Sequence, residues 1–224
     1  PGALAFNRSA ALSFFDADHG DGRGPEQGGA LGWLDALLAG VTPEDAAVIE
    51  AGGRVLQEAA NPLPQALVLT GEGKVFSAGA DLDEARAGLA TDPVWETLSA
   101  KIAGLGCLTI AALNGTLAGG AMGMVLACDL RLAVPTAKFF YPVMKLGFLP
   151  QPSDPARLVA LVGPARAKMI LMGGAKIEAD EALAWGFIDR IVAPEALLES
   201  ANALATDALA AKAGHAAAIK AMIG

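Results

Sequence analysis

The chain has 224 residues, 54% of them apolar and 18% charged, with a formal net charge of −8. That length supplies one domain, or one domain with an appendage, around a sizeable core, and the apolar share excludes an intrinsically disordered chain. The acidic balance and the lack of any basic run exclude nucleic acid as a partner, so a phosphorylated ligand would have to be held by backbone N–H groups and a few local cations.

A mean hydropathy of +0.45 points to apolar surface buried between subunits. Cys107 and Cys128 are too few for a disulfide framework or a zinc site. They read as free, buried thiols of a reducing cytoplasm.

In chain order, residues 2–6 form a short apolar run of strand length, and residues 11–15 form another. Residues 16–29 are rich in Gly and Asp and read as loop, and 30–39 as a short helix. Thr42-Pro43-Glu44-Asp45 starts a helix, with a Thr cap, Pro at the first helical position and acids in the first turn. It runs to about residue 60, interrupted by Gly52-Gly53, and stops at Asn61-Pro62.

Residues 66–70 and 109–113 are continuous apolar runs that fit strands buried on both faces, and 129–134 is a third strand ending at Pro135. Helices are expected over 92–104, 120–127, 155–162, 164–172, 178–185 and 194–213. This alternation predicts an α/β fold with a buried sheet. The uncharged stretch 102–128 is long enough for a bilayer, but Thr109, Asn114, Thr116 and its glycines make it strand, turn and helix, so no membrane is expected as partner.

Two glycine-containing turns each follow a strand: Phe76-Ser77-Ala78-Gly79-Ala80-Asp81-Leu82, and Asn114 through Gly119-Gly120 to Met122. Small residues let a ligand approach the backbone. N–H groups at a helix start are unpaired and backed by the helix dipole, and two of them on one oxygen make an oxyanion hole.

In order and spacing the two turns resemble the signatures of the crotonase superfamily, the enoyl-CoA hydratase/isomerase family. Residues 66–71 with 76–82 look like its first signature, and 110–120 running to Cys128-Asp129 like its second. Residues 4–13 are similar to its strand-one motif, and 180–189 to a late Ala- and Gly-containing segment.

The resemblance implies a spiral of β-β-α repeats over residues 1–190, followed by the start of a helical C-terminal region over 191–224. It also implies a homotrimer or dimer of trimers. The ligand would be an acyl-CoA thioester, with coenzyme A as part of the substrate and no further cofactor or metal. The oxyanion donors map to the backbone N–H groups of Ala80 and Gly120. Substrate contacts map to Ala10, Ala11, Ala78, Gly79, Ala80, Asp81, Leu82, Gly119 and Gly120. Asp81 also reads simply as a turn or capping carboxylate.

Three departures stand out. The two glutamates with which hydratases of the family add water map to Gly123 and Val143, neither of which can move a proton. Asp154 is then the first substitute acid or base, and Tyr141 the second. The simpler reading of Asp154, just before Pro155, is a helix cap. Lys145, Gln151 and Ser153 lie in the same neighbourhood.

Second, Ala10 stands where the family has a CoA-phosphate lysine, leaving Arg8 nearby. Third, the 16–42 segment is longer than usual. Its Asp16, Asp18, His19 and Asp21 lack calcium-loop spacing and offer too few soft ligands for zinc, so it reads as a solvent loop or the mouth of the pocket. Function therefore divides between enolate chemistry on a CoA thioester and a non-catalytic acyl-CoA-binding or accessory subunit of the same fold.

Overall fold

The computed structural model describes residues 10–15, 66–71, 74–77, 88 and 91–223. Strand β1 (Ala10–Phe15) precedes three turns of one repeating unit. The first is β2 (Ala66–Gly71), β3 (Val75–Ser77) and α1 (Val94–Ala103). The second is β4 (Leu108–Leu113), β5 (Thr116–Ala118), a 3-10 turn (Gly119–Ala121) and α2 (Met122–Leu126). The third is β6 (Leu130–Ala133), β7 (Lys138–Phe140) and α3 (Val143–Leu146).

The first strand of every unit joins one sheet, ordered β1-β2-β4-β6 and closed by β9 (Arg190–Ile191). The second strand joins the other, ordered β3-β5-β7 and closed by β8 (Ile177–Glu178). Pairing between successive units is parallel, for example Ala66 with Leu108 and Ile110 with Leu130. Strands β1 and β8 pair antiparallel at the edges. This is the spiral of β-β-α repeats that the resemblance implied.

The strands expected at 66–70, 109–113 and 129–134 are β2, β4 and β6, and the 11–15 run lies in β1. The runs Ala-Leu-Val-Leu and Ile-Ala-Ala-Leu are buried without alternation because the first sheet is covered on both faces. Strands β3, β5 and β7 have three residues each, too few for a period-two signal. The expected strand at 2–6 and helices at 30–39 and 42–60 lie outside the described residues.

Where a unit leaves one sheet for the other, backbones touch. A Cβ on Gly71 would sit 2.6 Å from the Cα of Phe76, and one on Gly115 would run into the carbonyl oxygen of Lys74. Asn114 ties the two units together: its Oδ1 accepts the Gly71 N–H at 3.1 Å and its Nδ2 donates to the Val75 carbonyl at 3.4 Å.

Past the spiral, α4 (Asp154–Leu171) contains the two helices expected at 155–162 and 164–172, with Gly163 at φ 79°, ψ 164° between them and Pro164 restarting the second. Helix α5 (Ala179–Trp185) ends at left-handed Gly186. The single helix expected over 194–213 is instead a 3-10 turn, then α6 (Leu197–Ala210), an extended residue at Ala211, and α7 (His215–Ile223). Helix α6 buries Leu197, Ala201 and Ala205.

Helix α7 buries no residue of its own. It is anchored by Lys220, which donates to the carbonyls of Leu105 and Cys107 and pairs with Asp129 at 2.9 Å. The uncharged stretch resolves into the end of α1, β4, β5 and α2, and no helix among the described residues is long and apolar enough to cross a membrane. Cys107 and Cys128 are free and buried, and burial pushes both thiols up, to about 11 and about 12.

The most heavily committed buried charge is Arg131, 4% exposed. It donates to the carbonyls of Phe187, Cys128 and Asp129, and pairs with Asp189 at 3.5 Å. Asp189 in turn accepts the Arg131 backbone N–H. This one side chain stitches β6 to the segment before β9. Arg131→Met strands three carbonyls, each worth about 1–3 kcal/mol when left unsatisfied, and is expected to cost about 3 kcal/mol or more in urea unfolding. A loss below about 1 kcal/mol would show that the network is replaceable by apolar packing.

Candidate functional site

The second glycine turn is the start of a helix. Ala118 is extended, Gly119 turns the chain at φ 65°, and Gly120 lies in the first helical turn before α2. The N–H groups of a first turn have no intrahelical acceptor and face outward. A Cβ on Gly120 would lie 3.2 Å from the six-membered ring of Trp95. The Trp95 indole, 5% exposed, therefore packs directly on this glycine from α1.

One turn further along the same face, Gly123 meets Asp154. A Cβ there would lie 2.8 Å from Asp154 Oδ1. Asp154 is the first residue of α4 and is fully buried. The N-cap position of α4 is Ser153 rather than Asp154, which corrects the simpler reading of its role. Asp154 Oδ2 accepts the Tyr141 hydroxyl at 2.9 Å, while Oδ1 has no hydrogen-bond partner among the described residues. Asp154 and Tyr141 are thus brought together, with the carboxyl filling the space that a side chain on residue 123 would need.

Burial pushes the Asp154 carboxyl up to about 6. The Tyr141 hydrogen bond and the Arg157 charge work against that rise, and the Glu96 charge adds to it. Burial, with the neighbouring Asp154 charge and hydrogen bond, also pushes the Tyr141 phenol well above its ordinary value. Tyr141 therefore stays a donor at neutral pH, and Asp154 changes charge close to it.

Helix α1 holds this arrangement from the other side. Glu96 accepts the Ser153 backbone N–H at 3.0 Å through Oε2 and the Ser153 hydroxyl through Oε1. One turn on, Arg157 donates to Ser99 Oγ at 2.9 Å. Trp95, Glu96, Ser99 and Arg157 carry no recognisable motif, and sequence reasoning missed them. The only local signal was an acid in the first turn of α1.

Of the other expected positions, Ala78, Gly79, Ala80, Asp81 and Leu82 lie outside the described residues, as do Arg8 and the 16–42 segment. Ala10 and Ala11 pair with Gly71 and Thr70 at the edge of the first sheet. Val143 is buried and apolar, Lys145 is exposed, and Gln151 is buried. A separate cavity of about 900 Å³ lies between α6, α7 and the end of α2. It touches Arg157 but neither Gly120 nor Asp154.

Two outcomes follow from this geometry. Gly123→Ala is expected to cost about 1–3 kcal/mol in urea unfolding because the methyl displaces a packed carboxyl. Most of that cost should vanish in an Asp154→Ala background; purely additive effects would separate the two positions. The native state also binds the Asp154 proton more tightly than the unfolded chain, where the carboxyl titrates near 3.8. The carboxyl thus costs no stability below about pH 3.8, and its cost grows as pH rises to about 6 and stays above it. Asp154→Asn should gain on the parent by up to roughly 3 kcal/mol between pH 4 and 7. A pH-independent difference would mean that the carboxyl ionises as freely in the fold as outside it.

Comparison with known proteins places this architecture. The family model for enoyl-CoA hydratase/isomerase matches residues 46–223. The chain is 38% identical over 144 residues to the protein named probable enoyl-CoA hydratase echA8 from Mycobacterium leprae, covering 63% of this chain and 56% of that one. It is likewise 38% identical over 150 residues to carnitinyl-CoA dehydratase from Citrobacter koseri, covering 65% and 58%. The chain thus spans a little over half the length of these relatives.

Among solved structures, an enoyl-CoA hydratase from Bacillus anthracis superposes with a TM-score of 0.70 at 30% identity, over 79% of this chain and 71% of that one. A Thermobifida fusca protein described as an enoyl-CoA hydratase, solved in complex with CoA, superposes with a TM-score of 0.64 at 32% identity, over 72% and 69%. With the spiral of repeats and the match across most of its length, the chain belongs to the enoyl-CoA hydratase/isomerase family.

Proposed function

We propose that this protein binds an acyl-CoA thioester and catalyses a reaction through an enolate, with Asp154 as the group that moves the proton. The observation that carries this reading is the buried Asp154 carboxyl, one oxygen held by Tyr141 and the other without a hydrogen-bond partner among the described residues, lying against Gly123 one helical turn from Gly120. The Gly120 N–H, with the Ala80 N–H that the family resemblance implies, donates to the thioester oxygen as negative charge builds on it. As a carboxylate, Asp154 takes a proton from carbon; as the acid, it returns one. Tyr141 fixes the carboxyl by donating to it.

A carboxyl poised near 6 serves both directions close to neutral pH. With Gly123 and Val143 at the positions of the two usual glutamates, one proton-moving group remains. That suits an isomerisation, a decarboxylation, a carbon–carbon cleavage or hydration by another route, rather than ordinary two-glutamate hydration. The family resemblance and the exposed Leu149, Met172 and Met144 fit assembly into a trimer or a dimer of trimers.

The test is a panel of CoA thioesters read by thermal stability and then by turnover. A true ligand at a hundredfold excess over its Kd stabilises the fold by about 2.7 kcal/mol. Turnover of that thioester should fall by about 10²–10⁴ in Asp154→Asn and vanish in Gly120→Pro, while Val143→Ala changes little. Stabilisation without turnover would make the protein an acyl-CoA-binding accessory subunit. No stabilisation by any thioester would overturn the acyl-CoA reading itself.

A further inference from the structure

Asp154 owes its place to a contact outside the carboxyl itself. Its backbone opens α4, and the residue before it, Ser153, is held through both its N–H and its hydroxyl by the carboxylate of Glu96 on α1. One turn later Arg157 fastens the same two helices through Ser99. Between these two ties the Asp154 side chain lies toward Gly123 and Tyr141.

We propose that Glu96 is a positioning residue of the active site: by clamping Ser153 it fixes the first turn of α4 and aims the Asp154 carboxyl across Gly123. The proposal rests on the reading of Asp154 as the proton-moving group. It extends that reading to α1, where the residue before Glu96, Trp95, packs on Gly120. One turn of α1 therefore touches both ends of the site.

The Glu96 contact is electrostatic as well as mechanical. Among the described residues, the charged and titratable groups facing Asp154 are Tyr141 at the end of β7, Arg157 on α4 and Glu96 on α1. Helix α2, Met122–Leu126, carries no charged or titratable residue. Arg157 favours the ionised carboxyl and Glu96 the protonated one. Glu96 thereby adds, as a lesser contribution, to the burial that holds the Asp154 carboxyl up against Tyr141 and Arg157.

The experiment follows the Asp154 carboxyl by ¹³C NMR from pH 4 to 8, with the resonance assigned by its loss in Asp154→Asn, in the parent, Glu96→Gln and Glu96→Ala proteins. Glu96→Gln keeps an acceptor for Ser153 but removes the charge. It should lower the Asp154 midpoint by about 0.5–1 pH unit and move the matching limb of the kcat profile the same way, with KM unchanged. Glu96→Ala removes the clamp too, and should lower kcat about tenfold or more below Glu96→Gln with the fold intact by circular dichroism. An Asp154 midpoint near 6 that does not move in Glu96→Gln, with kcat preserved in Glu96→Ala, overturns the role of Glu96 alone. A parent Asp154 that titrates as an ordinary carboxylate overturns the reading of Asp154, and this proposal with it.

Discussion

Everything in the site depends on a close approach of backbones. Each repeat must pass from one sheet to the other within a few residues, and at Gly71 and Gly115 the chain crosses its neighbour with no room for a side chain. Asn114 converts that crossing into a hydrogen-bonded joint between consecutive units. The joint fixes where β5 starts, and β5 delivers Gly119 and Gly120 to the head of α2. A helix start with exposed N–H groups is thus a by-product of stacking the repeats.

The chemical groups are then supplied from outside that joint. Tyr141 comes from the end of β7, Asp154 from the first turn of α4, and Trp95 and Glu96 from α1. Their arrangement sets burial against charge. A carboxyl with no exposure resists ionisation, one guanidinium pulls it back, and a second carboxylate resists again. The resulting balance lies close to neutrality, the range in which a general acid–base group is most efficient in both directions.

Much of the fold was legible because its first sheet is buried on both faces, so β2 and β4 appear as unbroken apolar runs. The glycine turns were legible through their spacing. The three-residue strands of the second sheet were not, since periodicity needs more residues than they have. In the site, Asp154 and Tyr141 were reachable by asking which polar groups lie near the missing glutamates. That Asp154 lies against Gly123, 31 positions away, was not, because nothing local to a glycine says which side chain has taken its space. Glu96 was hidden for the same reason: its partner is Ser153, and only the packing of α1 on α4 brings them together.

The contact between Gly123 and Asp154 has a consequence for how such a site changes over time. A carboxyl can enter this space from α2 or from α4, but not from both, since even the first carbon of a side chain at position 123 would lie 2.8 Å from the Asp154 oxygen. Moving the acid from one helix to the other therefore takes two coordinated substitutions. Each alone leaves either a collision or an emptied, proton-less space. The two placements therefore exclude one another unless the Asp154 side chain moves aside.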